Sequence, residues 1–85
     1  MNLQFKPVND GKRTHEKITT QIKEAIFNNK FSPGDRLPTE RELAKIFNTS
    51  RVTIRQSILT LRNSGMLFVK IGTGGGTFVA QDIGE

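Results

Sequence analysis

Two helix-start signals lie eleven residues apart and constrain the fold of this chain more than any other feature. Thr39 is followed three residues on by Glu42, the spacing of a capping box, and Ser50 supplies a second N-cap hydroxyl, with Thr49 as the alternative. The helix that begins after Thr39 is therefore confined to about two turns. The helix that begins after Ser50 is predicted over about 51–63, before a Ser-Gly pair typical of helix ends. Two short helices joined by three residues predict a helix-turn-helix.

A longer helix is predicted before this pair, from Thr14 to Asn29. Its apolar residues recur at i, i+4, i+7 and i+8 and form one stripe: Ile18, Ile22, Ala25 and Ile26. The following Pro33-Gly34 pair is a turn signal, and a short extra strand is expected near Arg36-Leu37.

After Gly65 the pattern changes from helical to strand-like. MLFVKI alternates, with Leu67, Val69 and Ile71 predicted on one face and Phe68 on the other. The glycine-rich segment 72–76 is predicted to be a turn, after which TFVA forms a second strand. A hairpin that follows a helix-turn-helix is a wing. The predicted fold class is therefore α+β, a winged helix-turn-helix of three helices and a two-stranded hairpin.

The 85 residues are enough for one domain, predicted over 14–80 after a flexible arm at 1–13. Residues 81–85 are expected to be a tail or the start of a linker. With no cysteine and one histidine, the chain offers no nucleophile–base pair and no metal-binding set, so neither an enzyme nor a cofactor is expected. No apolar run would span a bilayer and no signal peptide is visible, so a cytoplasmic location is expected.

The net charge of +5 is distributed unevenly. After Glu42 no acidic residue occurs until Asp82, and the basic residues between them are Lys45, Arg51, Arg55, Arg62 and Lys70. Such a window favours a polyanion as the partner of the C-terminal half.

Arg51 and Arg55 lie about 40° apart on the predicted third helix, beside its apolar stripe. When that stripe packs inward, both arginines point away from the domain, near free backbone N–H groups that suit phosphate. The second helix of a helix-turn-helix enters the major groove, where arginine can bind guanine in bidentate fashion, and Thr53 adds a hydroxyl. The alternative is that these arginines only solubilise a helix.

Two further sites also allow two interpretations. Arg41, at the start of the short helix, would lie close to a DNA backbone, or it forms a surface ion pair with Glu40 or Glu42.

The glycine-rich turn is not a nucleotide-binding loop, because Thr77 stands where the third glycine should be and a strand follows. As a wing tip it would let backbone approach DNA, with Lys70 adding charge; the alternative is a loop that contacts nothing.

The run PGDRLPTERELAKIFNTSRVTIRQSILTLRNSGML, followed by GTGGGTFVA, closely resembles the DNA-binding domain of the GntR family of bacterial transcription regulators, particularly its FadR-type branch. The resemblance covers roughly residues 14–80. It implies a winged helix that binds a short palindromic operator in double-stranded DNA as a dimer. Carried over by this resemblance, the DNA-contacting positions are Arg41, Ser50, Arg51, Thr53, Arg55 and Gly72.

Three departures from the family pattern stand out. Ser57 occupies a position where the family usually has alanine, a change expected to be tolerated at a tight helix contact. Ile71 replaces a basic or polar wing residue, which leaves Lys70 and backbone groups as the wing's contacts. Family members also carry a C-terminal effector-binding and dimerisation domain, so a fragment of a longer regulator is expected, with no effector pocket in these residues.

The predicted function is therefore sequence-specific DNA binding by a metabolite-responsive regulator acting as a repressor. Arg41, Lys45 and Lys70 would bind phosphates, while Arg51, Thr53 and Arg55 contact bases. The fragment is expected to be a monomer that pairs on DNA. The alternative from another class is a winged helix used for protein contacts; RNA binding is a third possibility without an aromatic platform to support it.

Overall fold

The structure, a computed structural model, describes residues 5–7 and 14–80. Its helices are α1 (Thr14–Phe27), α2 (Glu40–Phe47) and α3 (Arg51–Asn63), and its strands are β1 (Leu67–Lys70) and β2 (Gly76–Val79). The predicted α+β winged helix-turn-helix is confirmed. Helix α1 ends two residues earlier than predicted because Asn29 adopts a left-handed conformation, with φ of 62°.

Local side-chain bonds set the bounds of the helix-turn-helix. The Thr39 hydroxyl accepts from the Glu42 N–H at 3.1 Å, and the Glu42 carboxylate accepts from the Thr39 N–H at 2.9 Å. Helix α2 ends at Phe47, and its C-cap is Asn48, whose φ of 57° is left-handed. Helix α3 begins after Ser50, whose Oγ accepts from the Thr53 N–H at 3.1 Å. Both predicted caps are therefore present, and three residues, 48–50, separate the end of α2 from the start of α3.

The core forms where the apolar stripes of the three helices meet the first residues of the hairpin. Its fully buried members include Ile18 and Ile22 of α1, Phe47 of α2 and Ile54 of α3. Ser57 is also fully buried, and its hydroxyl donates to the backbone carbonyl of His15 at 2.8 Å. The position expected to be a tight helix contact therefore joins α3 to the first turn of α1.

The two strands pair antiparallel, with Leu67 opposite Val79 and Phe68 opposite Phe78. Residues 34–37 run along the other edge of β2. The predicted extra strand is present there as a single bridge between Arg36 and Phe78, and the Leu37 N–H donates to the Thr77 carbonyl at 2.8 Å.

The buried part of the wing is short. Leu67 is buried, but Val69 is 39% exposed and Ile71, which was predicted on the same face, is 92% exposed. The hairpin extends away from the core after its first pair of residues. Side chains further along the same strand face therefore have no core to pack against.

Part of the predicted flexible arm lies against the domain. The Phe5 ring stacks on Phe47 with centroids 5.0 Å apart and lies 6.2 Å from Phe31. The Gln21 side chain accepts from the Lys6 N–H at 2.9 Å and donates to the Lys6 carbonyl at 3.1 Å. Phe5 and Lys6 are thus held by aromatic packing and paired amide bonds, respectively. The rest of the arm and the predicted tail at 81–85 lie outside the described residues.

Candidate nucleic-acid interface

The first turn of α3 carries three of the predicted contact residues. Ser50 caps the helix, and its Oγ lies 2.9 Å from the Thr53 Oγ1. Arg51, between them, is exposed. The two hydroxyls thus stabilise the helix start and each other, while the arginine extends from the same turn into solvent.

Arg55 is paired with an acid from α2. Its Nη2 lies 3.1 Å from Oε1 of Glu40, and its Nε donates to Oε2 at 3.4 Å. The hydrogen bond to Glu40, and then the charge of that carboxylate, raise the pKa of Arg55 above its already high ordinary value. The side chains remain 62% and 32% exposed, so the guanidinium is oriented by the acid yet still open to solvent.

This pairing decides one alternative for Arg41. Glu40 bonds to Arg55 and Glu42 bonds to the cap of its own helix, so neither forms the surface ion pair that was considered for Arg41. Arg41 is exposed. Within residues 5–7 and 14–80, no salt bridge involves it.

Two open depressions bring the predicted residues together. One, of about 530 Å³, lies between the helices of the helix-turn-helix and is lined by Arg41, Lys45 and Arg51 together with Ala44, Asn48 and Thr49. The other, of about 300 Å³, lies where the helices meet the wing. It is lined by Arg36, Leu37, Thr39, Glu40, Arg41, Arg51, Gly76 and Thr77. Three cationic side chains line each depression, so both favour an anion.

The two predicted contact residues of the wing, Lys70 and Gly72, lie outside these depressions. Lys70 pairs with Gly76 across the hairpin, and both it and Gly72 are exposed and line neither of them. The turn requires glycine at position 75, since an added Cβ would lie 2.4 Å from the Lys70 carbonyl oxygen. The glycines that precede it in the loop, Gly72 and Gly74, are exposed.

Sequence reasoning missed two residues of this surface. Arg36 was considered only as part of a short strand, although it is the only cation in the PGDRLP segment. Glu40 was considered as a partner of its neighbour, and nothing local in the sequence indicates its bond to a residue fifteen positions away. In the described part of the chain no cluster of three potential metal ligands occurs, and no helix is long and apolar enough to cross a membrane.

Comparisons with known proteins agree with this geometry. The family described as bacterial regulatory proteins, gntR family, matches residues 14–79. The repressor NagR of Bacillus subtilis is 42% identical over 64 residues, which is 75% of this chain and 26% of that protein. An uncharacterised HTH-type transcriptional regulator of Mycobacterium tuberculosis is 38% identical over 65 residues, 76% of this chain and 27% of that protein.

Among solved structures, the DNA-binding domain of AraR in complex with operator ORX1 superposes with a TM-score of 0.78. It is 33% identical and covers 89% of this chain and 96% of that one. The chain spans about a quarter of the length of the curated relatives described above. The family consists of regulatory proteins, which agrees with the expectation of a non-enzymatic domain. With its three helices, its wing and a family match over most of its residues, this chain belongs to the GntR family of bacterial regulatory proteins.

Proposed function

We propose that this chain is the operator-binding part of a cytoplasmic transcription repressor of the FadR-type branch and that it binds a short palindrome in double-stranded DNA. The observation that carries the proposal is the position of Arg51. It is exposed on the first turn of the second helix of the helix-turn-helix, and it shares an open cationic depression with Arg41 and Lys45. The AraR domain of similar fold was solved on its operator, and NagR is named a repressor.

In this proposal α3 lies in the major groove with its first turn against the base edges. The Arg51 guanidinium binds O6 and N7 of a guanine, a bidentate contact that lysine cannot reproduce. Thr53 contributes its hydroxyl, which can form a further hydrogen bond in addition to its bond to Ser50. Arg55 binds a second base from the orientation in which Glu40 holds it.

Phosphates on either side of the groove fix the register. Arg41 and Lys45 face the backbone from α2, and the free N–H groups at the start of α3, next to Ser50, add a positive dipole. Lys70 and the backbone around Gly72 approach the minor groove from the wing. All of these groups are exposed, so no rearrangement of the core is needed before binding.

A palindromic operator implies two copies related by the two-fold axis of the DNA. We propose that these residues are monomeric in solution and pair on DNA. The stable dimer and the response to a metabolite would then depend on the remaining three quarters of a full-length regulator.

The test is selection of bound duplexes from a randomised DNA pool at near-physiological salt. The intact chain is compared with the Arg51→Ala/Arg55→Ala double variant and with Arg62→Ala, which removes an arginine from the far end of the same helix. We expect enrichment of a short inverted repeat that is lost in the double variant and kept in Arg62→Ala. If a folded intact chain enriches nothing even when dimerised through a fused leucine zipper, the proposed function is wrong.

A further inference from the structure

We infer that Arg36 is an additional DNA contact, and that the wing–helix depression, the 300 Å³ one lined by Arg36, Arg41, Arg51 and Gly76, binds a single backbone phosphate. The inference rests on the proposed function, because it assigns one more group to the same bound DNA. It adds a residue from outside both the recognition helix and the wing tip.

The backbone places Arg36 at this junction. Its bridge to Phe78 and the 2.8 Å bond from the Leu37 N–H to the Thr77 carbonyl hold residues 36–37 along the edge of β2. The Arg36 side chain extends over the first residue of β2. A Cβ added at Gly76 would lie 2.7 Å from the Arg36 Nε. The missing side chain of Gly76 is therefore what leaves room for this guanidinium beside the depression.

The acids next to Arg36 and Arg41 in the sequence are bonded to other groups. The Asp35 Oδ2 accepts from the Ser32 N–H at 2.8 Å, and the Glu42 Oε1 accepts from the Thr39 N–H at 2.9 Å. Glu40 lines the depression itself, but its carboxylate is bonded to Arg55. In the described ranges no salt bridge includes Arg36, Arg41 or Arg51. Three guanidinium groups from three separate segments thus share one open site that has no free carboxylate.

A phosphate fits this arrangement better than a base edge. Its oxygens can accept from Arg36 and Arg41 at once, whereas the major-groove edge of the guanine is already filled by the bidentate contact of Arg51. The single negative charge of a phosphate would also reduce the mutual repulsion of the three cations. By binding this phosphate, Arg36 would hold the DNA backbone at the junction between the wing and the recognition helix.

The experiment measures affinity for the selected operator and for a scrambled duplex by fluorescence anisotropy between 50 and 200 mM salt. One released phosphate contact changes the slope of log affinity against log salt by about 0.9. The affinity of the intact chain divided by that of Arg36→Ala is therefore expected to fall about 3.5-fold, per bound chain, as the salt concentration rises from 50 to 200 mM. The preference for operator over scrambled duplex should be unchanged, and Arg36→Lys should keep the intact slope.

Arg62→Ala is the matched control, because Arg62 lies eleven residues, or about 16 Å, along α3 from Arg51 and should leave the slope unaltered. Arg36→Gln keeps part of the side-chain stem and decides the matter if Arg36→Ala does not fold by circular dichroism. An intact slope in the folded, uncharged variant overturns the inference, as does a loss of operator preference without a change in slope. If the intact chain itself shows no operator preference, the proposed function fails separately, and the slope on scrambled duplex still decides the role of Arg36.

Discussion

Replacing Ser57 with alanine tests how the recognition helix is seated on the domain. The Ser57 hydroxyl is fully buried and donates to the His15 carbonyl at 2.8 Å. A typical net contribution of such a bond is about 0.5–1.5 kcal/mol, and it rises to about 1–3 kcal/mol when a buried partner is left without any bond. Here the His15 carbonyl also accepts from the Thr19 hydroxyl at 2.7 Å, so it keeps a partner in the variant.

The free energy of unfolding should therefore fall by no more than about 1 kcal/mol in Ser57→Ala. Ser57→Val is the contrasting variant. It adds carbon atoms at a position with 0% exposure, between α1 and α3, and overpacking of this kind costs about 1–3 kcal/mol. The shape of the site thus predicts that valine is worse than alanine although it is more apolar than serine.

Urea denaturation followed by circular dichroism measures both values, with an unchanged m-value as the sign of an unchanged unfolded state. Operator affinity serves as the second readout and should match that of the intact chain for Ser57→Ala, since no contact residue moves. A loss above about 2 kcal/mol for alanine would mean that the His15 carbonyl depends on Ser57 alone. A valine variant as stable as the intact chain would refute the tight contact.

Three further predictions concern the interface and its support. Arg51→Ala should weaken operator binding by about 1–3 kcal/mol with an unchanged circular dichroism spectrum; loss of the spectrum would make the arginine structural. Glu40→Gln should release Arg55 and remove an anion from the surface, so affinity for random duplex should rise and operator preference should fall in anisotropy titrations; the reverse would contradict a positioning role. Phe5→Ala should lower the free energy of unfolding by about 1–2 kcal/mol, less than for a fully buried phenylalanine, and a change near zero in urea denaturation would show that its ring packing on Phe47 is not stabilising.

The parts of the fold that were predictable depend on short-range physics. The Thr39–Glu42 box and the Ser50 cap are bonds between residues three apart, so the spacing of residue types was sufficient to place them. The apolar stripe of α1 has the helical period, and its members are the buried residues of that helix. Their partners did not have to be known, because one apolar face of a helix must pack on something.

The features that were missed depend on contacts between distant residues. Strand alternation predicted one face for Leu67, Val69 and Ile71, but which of them is buried depends on where the hairpin leaves the core. The packing of Phe5 on Phe47 joins positions far apart in the chain, and so does the approach of Arg36 to Gly76. No local pattern contains that information.

The charge of the surface illustrates the same limit and its consequence for function. Residues 35–42 hold three acids and two arginines, so by counting alone this segment is close to neutral and an unpromising place for an anion. In the structure two of the acids accept bonds from backbone N–H groups, and the third is bonded to Arg55. Their carboxylates stabilise a turn, a helix start and an arginine of the next helix, while Arg36 and Arg41 point into an open depression with Arg51. The anion affinity proposed for the wing–helix depression therefore depends on how the acids are bonded rather than on how few there are.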